Sequence, residues 1–371
     1  MLVRLKITKM GEEGEGLAEW EGREIRVLNA LPGEEVEAEF LTRGKTPIAV
    51  AKEILSPSPD RREPPCPLFP RCGGCQFQHL KYPKQLELKR RRIEKVLGER
   101  VEPPISRGEL GYRNHARLTA RRGEVGFVNK FTHEFVRVDR CLLMSPLINE
   151  LLSKVQGRCF STMVSIRVGI RTGEYLIQPN LFLQDLPTGQ SFYHEILLGR
   201  RFRISASSFF QTNTEGAEEM VRMVREWVGS AGKVVDAYAG VGVFAALLSD
   251  LASEVLAIEV SSSAEKDALH NLGGLPNVKF VKGRVEEILP LENVDVLLLD
   301  PPREGCSGRV IEAINLSPPR RIVYVSCNPT TLGRDLAKLK GFILEKVQPI
   351  DLFAQTKHVE CLALLRREDL P

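Results

Sequence analysis

The sequence predicts an α/β fold: a doubly wound, mostly parallel domain at the C-terminal end, preceded by a small β-barrel and an antiparallel-rich α+β middle domain. Three observations carry that reading. From residue 233 strand-like and helix-like runs alternate; residues 1–55 hold short strand-like runs between glycine-rich turns; and SPSPDRREPP at 56–65 has four prolines and no periodicity. A chain of 371 residues is too long for one ordinary core, so three domains are expected, at 1–55, 56–205 and 206–371.

In the first domain, LVRLKIT, EIRVLNA, EEVEAEFL and PIAVAKEIL alternate with turns at Gly11 to Gly16 and Pro32-Gly33, a spacing that argues a small barrel. The segment resembles a TRAM domain, an OB-like RNA-binding module. Residues 1–40 carry ten Asp/Glu against five Lys/Arg, which suits a structural barrel as well as an RNA contact. Residues 81–122 carry thirteen Lys/Arg against five Asp/Glu, so a nucleic-acid surface is expected there instead. Overall the chain is 43% apolar and 27% charged, as in soluble globular proteins. No signal-like start and no apolar run near the ~20 residues of a membrane span occurs, so a cytoplasmic protein is expected, with no membrane partner and no obligatory protein partner.

The middle domain opens on Cys66-Pro-Leu-Phe-Pro-Arg-Cys72-Gly-Gly-Cys75, where Gly73 and Gly74 let the backbone turn so that thiolates converge on one centre. Three ligands need a fourth. Cys141 is the first candidate, Cys159 the second and His79 the third, and soft thiolates suit zinc or an iron–sulfur cluster alike. Residues 83–97 place Leu86, Ile93 and Leu97 at roughly helical spacing beside a basic block from Lys89 to Arg92, which reads as a helix with one apolar stripe and a cationic face. Tyr112-Arg113-Asn114 and Arg117 to Arg122 would extend that face toward RNA. Residues 116–205 read as strands and hairpins with two helices, and Thr212 or Asn213 caps a helix through Met220, Val224 and Trp227.

In the last domain KVVDAYAGVGVFAALLS is strand, glycine turn and helix, and EVLAIEV, NVKFVKG, VDVLLLDPP and RRIVYVSCNP are further strands of a Rossmann-like sheet. Asp236 ends the first strand and Glu259 the second, 23 residues later, where a carboxylate can accept both hydroxyls of a ribose. From residue 233 on, neither G-x-G-x-x-G nor a G-K-[ST] loop is present, so a nucleoside without phosphates is expected there. S-adenosylmethionine fits, its methionine part over the Gly240 turn. Asp300-Pro301-Pro302-Arg303 forms a stiff loop at that edge, and Arg303 is a cation able to order a phosphate or a carboxylate.

The stretch Arg321 to Leu336 organises the whole chain. An apolar run ends at Ser326-Cys327-Asn328-Pro329, which puts a thiol at the tip of a buried strand, facing any ligand beyond the sheet's carboxyl edge. A small buried hydrophobe is the bland alternative for Cys327. PIDLFAQTKHVECLALLRR closes the chain, with a strand expected from His358, and Glu360 at its start is a carboxylate that needs a partner or a task.

Together, C-x5-C-x2-C…C, FFQ, DAYAGVG, DPPREG, VSCNPTTLGRDL and HVE resemble the RNA uridine-5-methyltransferase family, over the whole length from the TRAM-like segment to the last strand. The resemblance implies that Cys66, Cys72, Cys75 and Cys141 hold a 4Fe-4S cluster and that Gln211, Tyr238, Glu259 and Asp300 line S-adenosylmethionine. It further implies that Cys327 is the nucleophile, Glu360 the general base, and the substrate RNA, ribosomal ahead of transfer RNA. Val243 and Arg284 depart from the family pattern and receive no cofactor role; Gln355 receives no catalytic one. Such chemistry favours a thiolate, so a neighbour that lowers the Cys327 pKa is expected. The rivals are a non-catalytic RNA-binding or assembly factor, and a methyltransferase for an exocyclic base nitrogen, which would not need Cys327.

Overall fold

The computed structural model describes residues 2–42 and 47–368. Its N-terminal part is one six-stranded sheet built from Leu2–Lys6, Lys9–Met10, Gly16–Trp20, Arg23–Leu28, Glu35–Thr42 and Ile48–Ser56. Alternation turns Val36 and Ala38 into a core with Leu5, Ile25 and Val27, and leaves Glu35, Glu37 and Glu39 facing water. The acidity of this segment is thus the outer side of a two-residue period. The proline-rich linker has no regular structure but is pinned: buried Glu34 accepts from Arg61 Nε (2.5 Å), Ser58 N (3.0 Å) and Leu31 N (2.8 Å).

A five-stranded antiparallel sheet follows, in the order Phe135–Arg137, Glu124–Val128, His115–Arg121, Met163–Val168, Tyr175–Gln178, with helix Pro146–Val155 packed on it through Ile148 and Leu152. Ser145 caps that helix by accepting from Ile148 N.

The last sheet holds β1 (Ala231–Ala237), β2 (Ala252–Glu259), β3 (Val278–Lys282), β4 (Val296–Leu299), β5 (Arg321–Ser326), β6 (Phe342–Asp351) and β7 (Glu360–Arg367). Their order is β3-β2-β1-β4-β5-β7-β6, with Ile105–Ser106 added beyond β6. The first five strands are parallel, and β7 is antiparallel to both neighbours. Continuous apolar runs such as Val296 to Leu299 are buried on both faces because helices cover both. Val234, Leu298 and Val323 meet Val221, Val224 and Trp227 of helix Thr214–Val228 on one face. Val235, Leu297 and Ile322 meet Val310 and Ile314 of helix Gly308–Leu316 on the other.

Two segments from the middle of the chain join these cores. The hairpin Phe192–Leu197/Arg200–Ser205 contributes Tyr193, Phe202 and Ile204, and helix Tyr82–Leu97 contributes Ile93. Period alone identifies a strand or helix without naming the sheet it packs on. Among the described residues no helix is long and apolar enough to cross a membrane.

Candidate active site

Strand register gathers the chemistry-bearing residues on one sheet edge. Ser326 of β5 lies opposite Cys361 of β7, so one step further Cys327 meets Glu360. Leu299 of β4 is level with Tyr324 of β5 and with Ala237 of β1, which in turn is level with Ile258 of β2. Glu259, Tyr238 and Asp300 come next and stand side by side across β2, β1 and β4; the β5 residue level with Asp300 is Val325, so Cys327 and Glu360 lie two residues further out on the same edge. Gln211 is not on that edge. It sits in the loop before helix Thr214–Val228, its carbonyl taking Asn114 Nδ2 at 3.0 Å, and the capping Asn213 beside it donates to Leu352 O just past β6 (3.3 Å).

The turn after β1 is tight. Tyr238 adopts φ +81°, rare for a residue with a side chain, and Gly240 (+54°) and Gly242 (+85°) follow. Buried Asp236 accepts Ala245 N through Oδ2 (2.9 Å), while its Oδ1 has no partner among the described residues, an acceptor that a bound donor would satisfy. Glu259 spends its carboxylate on Gly240 N, Val260 N and Ser261 N (2.7–2.8 Å), leaving about one of its roughly four acceptor positions free.

Around the nucleophile, Ser326 Oγ accepts Asn328 N (3.2 Å) and Asn328 caps helix Pro329–Leu336 by accepting Thr330 N (3.1 Å). Asn328 Nδ2 and Thr331 Oγ1 both donate to Arg303 O (3.2 Å), which ties the Asp300–Arg303 loop to the thiol. Beside Cys327 opens a cleft of about 160 Å³ lined also by Arg92, Arg303, Lys357 and His358. Burial pushes the Cys327 thiol up to about 11, helped by the Glu360 carboxyl and opposed by Arg303. The expected lowering is corrected: in the RNA-free protein desolvation outweighs the Arg303 cation. Burial, with Asp300 beside it, drives the Glu360 carboxyl well above its usual range. His358 is held neutral, near 4, by burial and by the cations around it. The last strand starts at Glu360 rather than at the expected His358, because Thr356 Oγ1 takes His358 N (3.3 Å) and donates to Phe353 O (2.7 Å), closing a turn.

Burial also raises Asp236 and Asp300 from 3.8 to about 7. A carboxyl raised on folding stabilises the fold fully below its unfolded pKa, and that contribution is lost as pH rises through the folded value. In the cofactor-free protein, the melting temperature of Asp236→Asn should therefore rise relative to wild type between about pH 5 and about pH 8. Thermal scans across that range check this; a constant difference would mean that Asp236 is ionised throughout.

Cys66, Cys72, Cys75 and Cys141 line a second cavity of about 160 Å³, together with Leu68, Phe69 and Met144. Burial raises Cys72 to about 11 and Cys75 to about 12, and thiolate charge on the neighbouring Cys66 and Cys141 pushes both further up. Cys159 lies in the core of the five-stranded sheet and His79 stacks on Phe69 (5.2 Å), so neither lines the cavity. Two supports escaped the sequence reading. Buried Gln78 bridges the loop, donating to Cys75 Sγ (3.2 Å) and accepting Cys66 N (3.1 Å), and Asn149 accepts Cys141 N (2.9 Å) and donates to its carbonyl (3.0 Å). Among the described residues no three His, Cys, Asp or Glu side chains converge on a single-ion site.

The expected basic surface needs revision. Tyr112 and Asn114 are buried, donating to Ala354 O (3.0 Å) and Gln211 O, and Lys89 is buried as well, whereas Arg117, Arg121 and Arg122 are exposed.

Residues 197–368 match the family model described as tRNA (Uracil-5-)-methyltransferase. An uncharacterized RNA methyltransferase of Gloeobacter violaceus is 34% identical, over 98% of this chain and 96% of its own length. Another, from Caldanaerobacter subterraneus, is 34% identical over 97% of each. Among solved structures, a tRNA (uracil-54, C5)-methyltransferase of Pyrococcus abyssi in complex with S-adenosyl-L-homocysteine superimposes with a TM-score of 0.82 at 27% identity, covering 98% of this chain and 99% of that one.

Proposed function

The chain belongs to the RNA uracil-5-methyltransferase family, enzymes that depend on S-adenosylmethionine, and from that premise we propose that it methylates carbon 5 of a uridine through a covalent Cys327 adduct. The observation that carries the reading is the juxtaposition of Cys327 and Glu360 across β5 and β7, next to the strand ends that bear Asp300, Tyr238 and Glu259.

Carbon 5 of uracil is a poor nucleophile until carbon 6 is saturated. The Cys327 thiolate adds there: a sulfur–carbon bond forms and the carbon 5–carbon 6 π pair moves out to the 4-carbonyl as an enolate. S-adenosylmethionine, when bound, supplies an electrophilic methyl group on a sulfonium. Glu259 would hold the ribose, with Tyr238, Asp300 and Gln211 lining the rest; the partnerless Oδ1 of Asp236 and the glycine turn suit such a ligand. Glu360 then takes the carbon-5 proton, the electrons of that bond restore the double bond, and the Cys327 thiolate leaves. A carboxyl whose pKa is raised by burial is a strong acceptor once ionised. Arg303 and Arg92, in the cleft beside Cys327, supply positive charge for the RNA backbone.

The four cavity thiols would hold a 4Fe-4S cluster. Each iron of a cubane takes one thiolate, and the four cysteines line one common cavity. Cys141→Ser should lower iron content in anaerobically purified protein while Cys159→Ser leaves it unchanged; equal loss in both, or zinc in place of iron, contradicts this. The N-terminal sheet is read as a TRAM-like module.

The test of function is to incubate the protein with labelled S-adenosylmethionine and either transfer RNA, the substrate class named for the archaeal relative, or ribosomal RNA, and to digest to nucleosides. Label in 5-methyluridine supports the proposal. Label on an exocyclic nitrogen, or none, refutes it.

A further inference from the structure

Helix Tyr82–Leu97 presents an unusual face. Tyr82, Gln85, Lys89 and Arg92 recur at the three- and four-residue spacing of one helix side, yet Gln85 is 0% exposed and Lys89 is 2% exposed. Every one of them bonds to the stretch that runs from Asp351, the last residue of β6, toward β7. Tyr82 Oη donates to Asp351 Oδ2 (2.8 Å), and Lys89 Nζ donates to Asp351 Oδ1 (2.7 Å) and Phe353 O (3.1 Å). Gln85 donates to Gln355 Oε1 (2.9 Å) and accepts Gln355 N (3.1 Å), and Arg92 reaches Lys357 O (3.5 Å). The helix thus grips Asp351, Phe353, Gln355 and Lys357, alternate residues of the stretch that ends at Glu360.

From this geometry we infer that the polar face of helix Tyr82–Leu97, through Gln85 and Lys89, is a positioning device for the carboxyl of Glu360. The inference rests on the role proposed above for Glu360 and adds how that side chain is held. A buried ammonium–carboxylate pair is a costly way to join two elements if only stability matters, since apolar residues of similar volume serve as well or better. What such bonds provide is a fixed register. Gln355 is held from a second side, too: in a left-handed conformation (φ +66°) its carbonyl accepts Gln76 N (2.9 Å) and Phe77 N (3.0 Å), immediately after Cys75. The cysteine loop and the helix therefore clamp the same residue, five positions before Glu360. A phosphate-binding role for Lys89 is excluded by its burial.

A positioning residue for the base should affect the proton-removal step and spare the others. The experiment uses full-length Gln85→Ala, Lys89→Met and Gln355→Ala enzymes with the RNA that the wild type methylates. Expected are a KM for RNA and a rate of adduct formation on 5-fluorouridine RNA within about twofold of wild type, with kcat reduced about tenfold or more. Protein covalently joined to methylated RNA should accumulate on denaturing gels. Should Lys89→Met fail to fold, Gln85→Ala and Gln355→Ala give the answer: Gln85→Ala removes only neutral hydrogen bonds, and Gln355→Ala removes in addition the bonds of its side chain to Arg62 Nη2 (2.9 Å) and Glu109 Oε2 (2.7 Å). Wild-type turnover in those two variants, or adduct formation and turnover lost in the same proportion, would overturn the inference. A wild-type enzyme that methylates RNA yet forms no adduct would overturn the covalent reading beneath it, a result read from a separate lane.

Discussion

Cys327→Ala is expected to bind RNA and S-adenosylmethionine and to make neither adduct nor product. The side chain stands one residue beyond β5, where the turn is built by Ser326, Asn328 and Pro329 and not by the thiol, so the substitution leaves the edge intact. Without addition at carbon 6 no enolate can form, and turnover should fall on the order of 10⁴-fold or more, the scale on which deletion of a covalent nucleophile acts. The pH dependence of the unmodified enzyme has a definite sign. With the thiol pushed up to about 11, the thiolate fraction grows through the neutral and alkaline range, so adduct formation should quicken as pH rises. Stopped reactions at several pH values, analysed on denaturing gels with labelled RNA, read both expectations. Full turnover by Cys327→Ala would move the chain to exocyclic-nitrogen methylation.

Glu360→Gln should fail later. Its amide can neither accept the carbon-5 proton nor repel a thiolate, so addition and one methyl transfer proceed and the protein stays joined to methylated RNA. Release should slow by about 10²-fold or more, as expected for loss of a general base. A single-turnover experiment distinguishes this from a structural defect: the methylated adduct rises at close to the wild-type rate and then persists. Normal release with no trapped species would assign the base to another group.

Much of this edge could be read from the sequence because buried parallel strands are continuous apolar runs, and a charged residue at their carboxyl ends stands out. Asp236, Glu259, Asp300 and Cys327 were legible in that way, each the first reactive group at or just past the end of such a run. Cys66, Cys72 and Cys75 were legible for a different reason, the glycine turn between Cys72 and Cys75, whereas Cys141 stood only as the first of three candidates for a fourth ligand.

What escaped depends on partners far away in the chain. Lys89 sits in a run of four cations and reads as a solvated face; its burial follows from Asp351, 262 residues later. Gln85 and Gln355 lack charge and pattern, and they become meaningful only once the helix and the loop are packed together. The Cys327 thiol was expected to be lowered by a neighbour because the chemistry needs a thiolate, but burial and the two carboxyls delivered by β4 and β7 outweigh Arg303. The position of Gln211, off the sheet edge and tied to Asn114, likewise needs the tertiary fold.

The covalent step is the centre of the account, and it can be trapped. Fluorine at carbon 5 cannot be removed as a proton, so RNA containing 5-fluorouridine should leave the unmodified enzyme attached to its product. Digestion of the trapped complex and mass spectrometry of the RNA-linked peptide is the direct measurement. The account predicts one modified peptide, spanning Arg321 to Leu336, with the nucleotide on Cys327 and one added methyl group. No linked peptide from an enzyme that methylates ordinary RNA, or a nucleotide carried by any other cysteine, would contradict it.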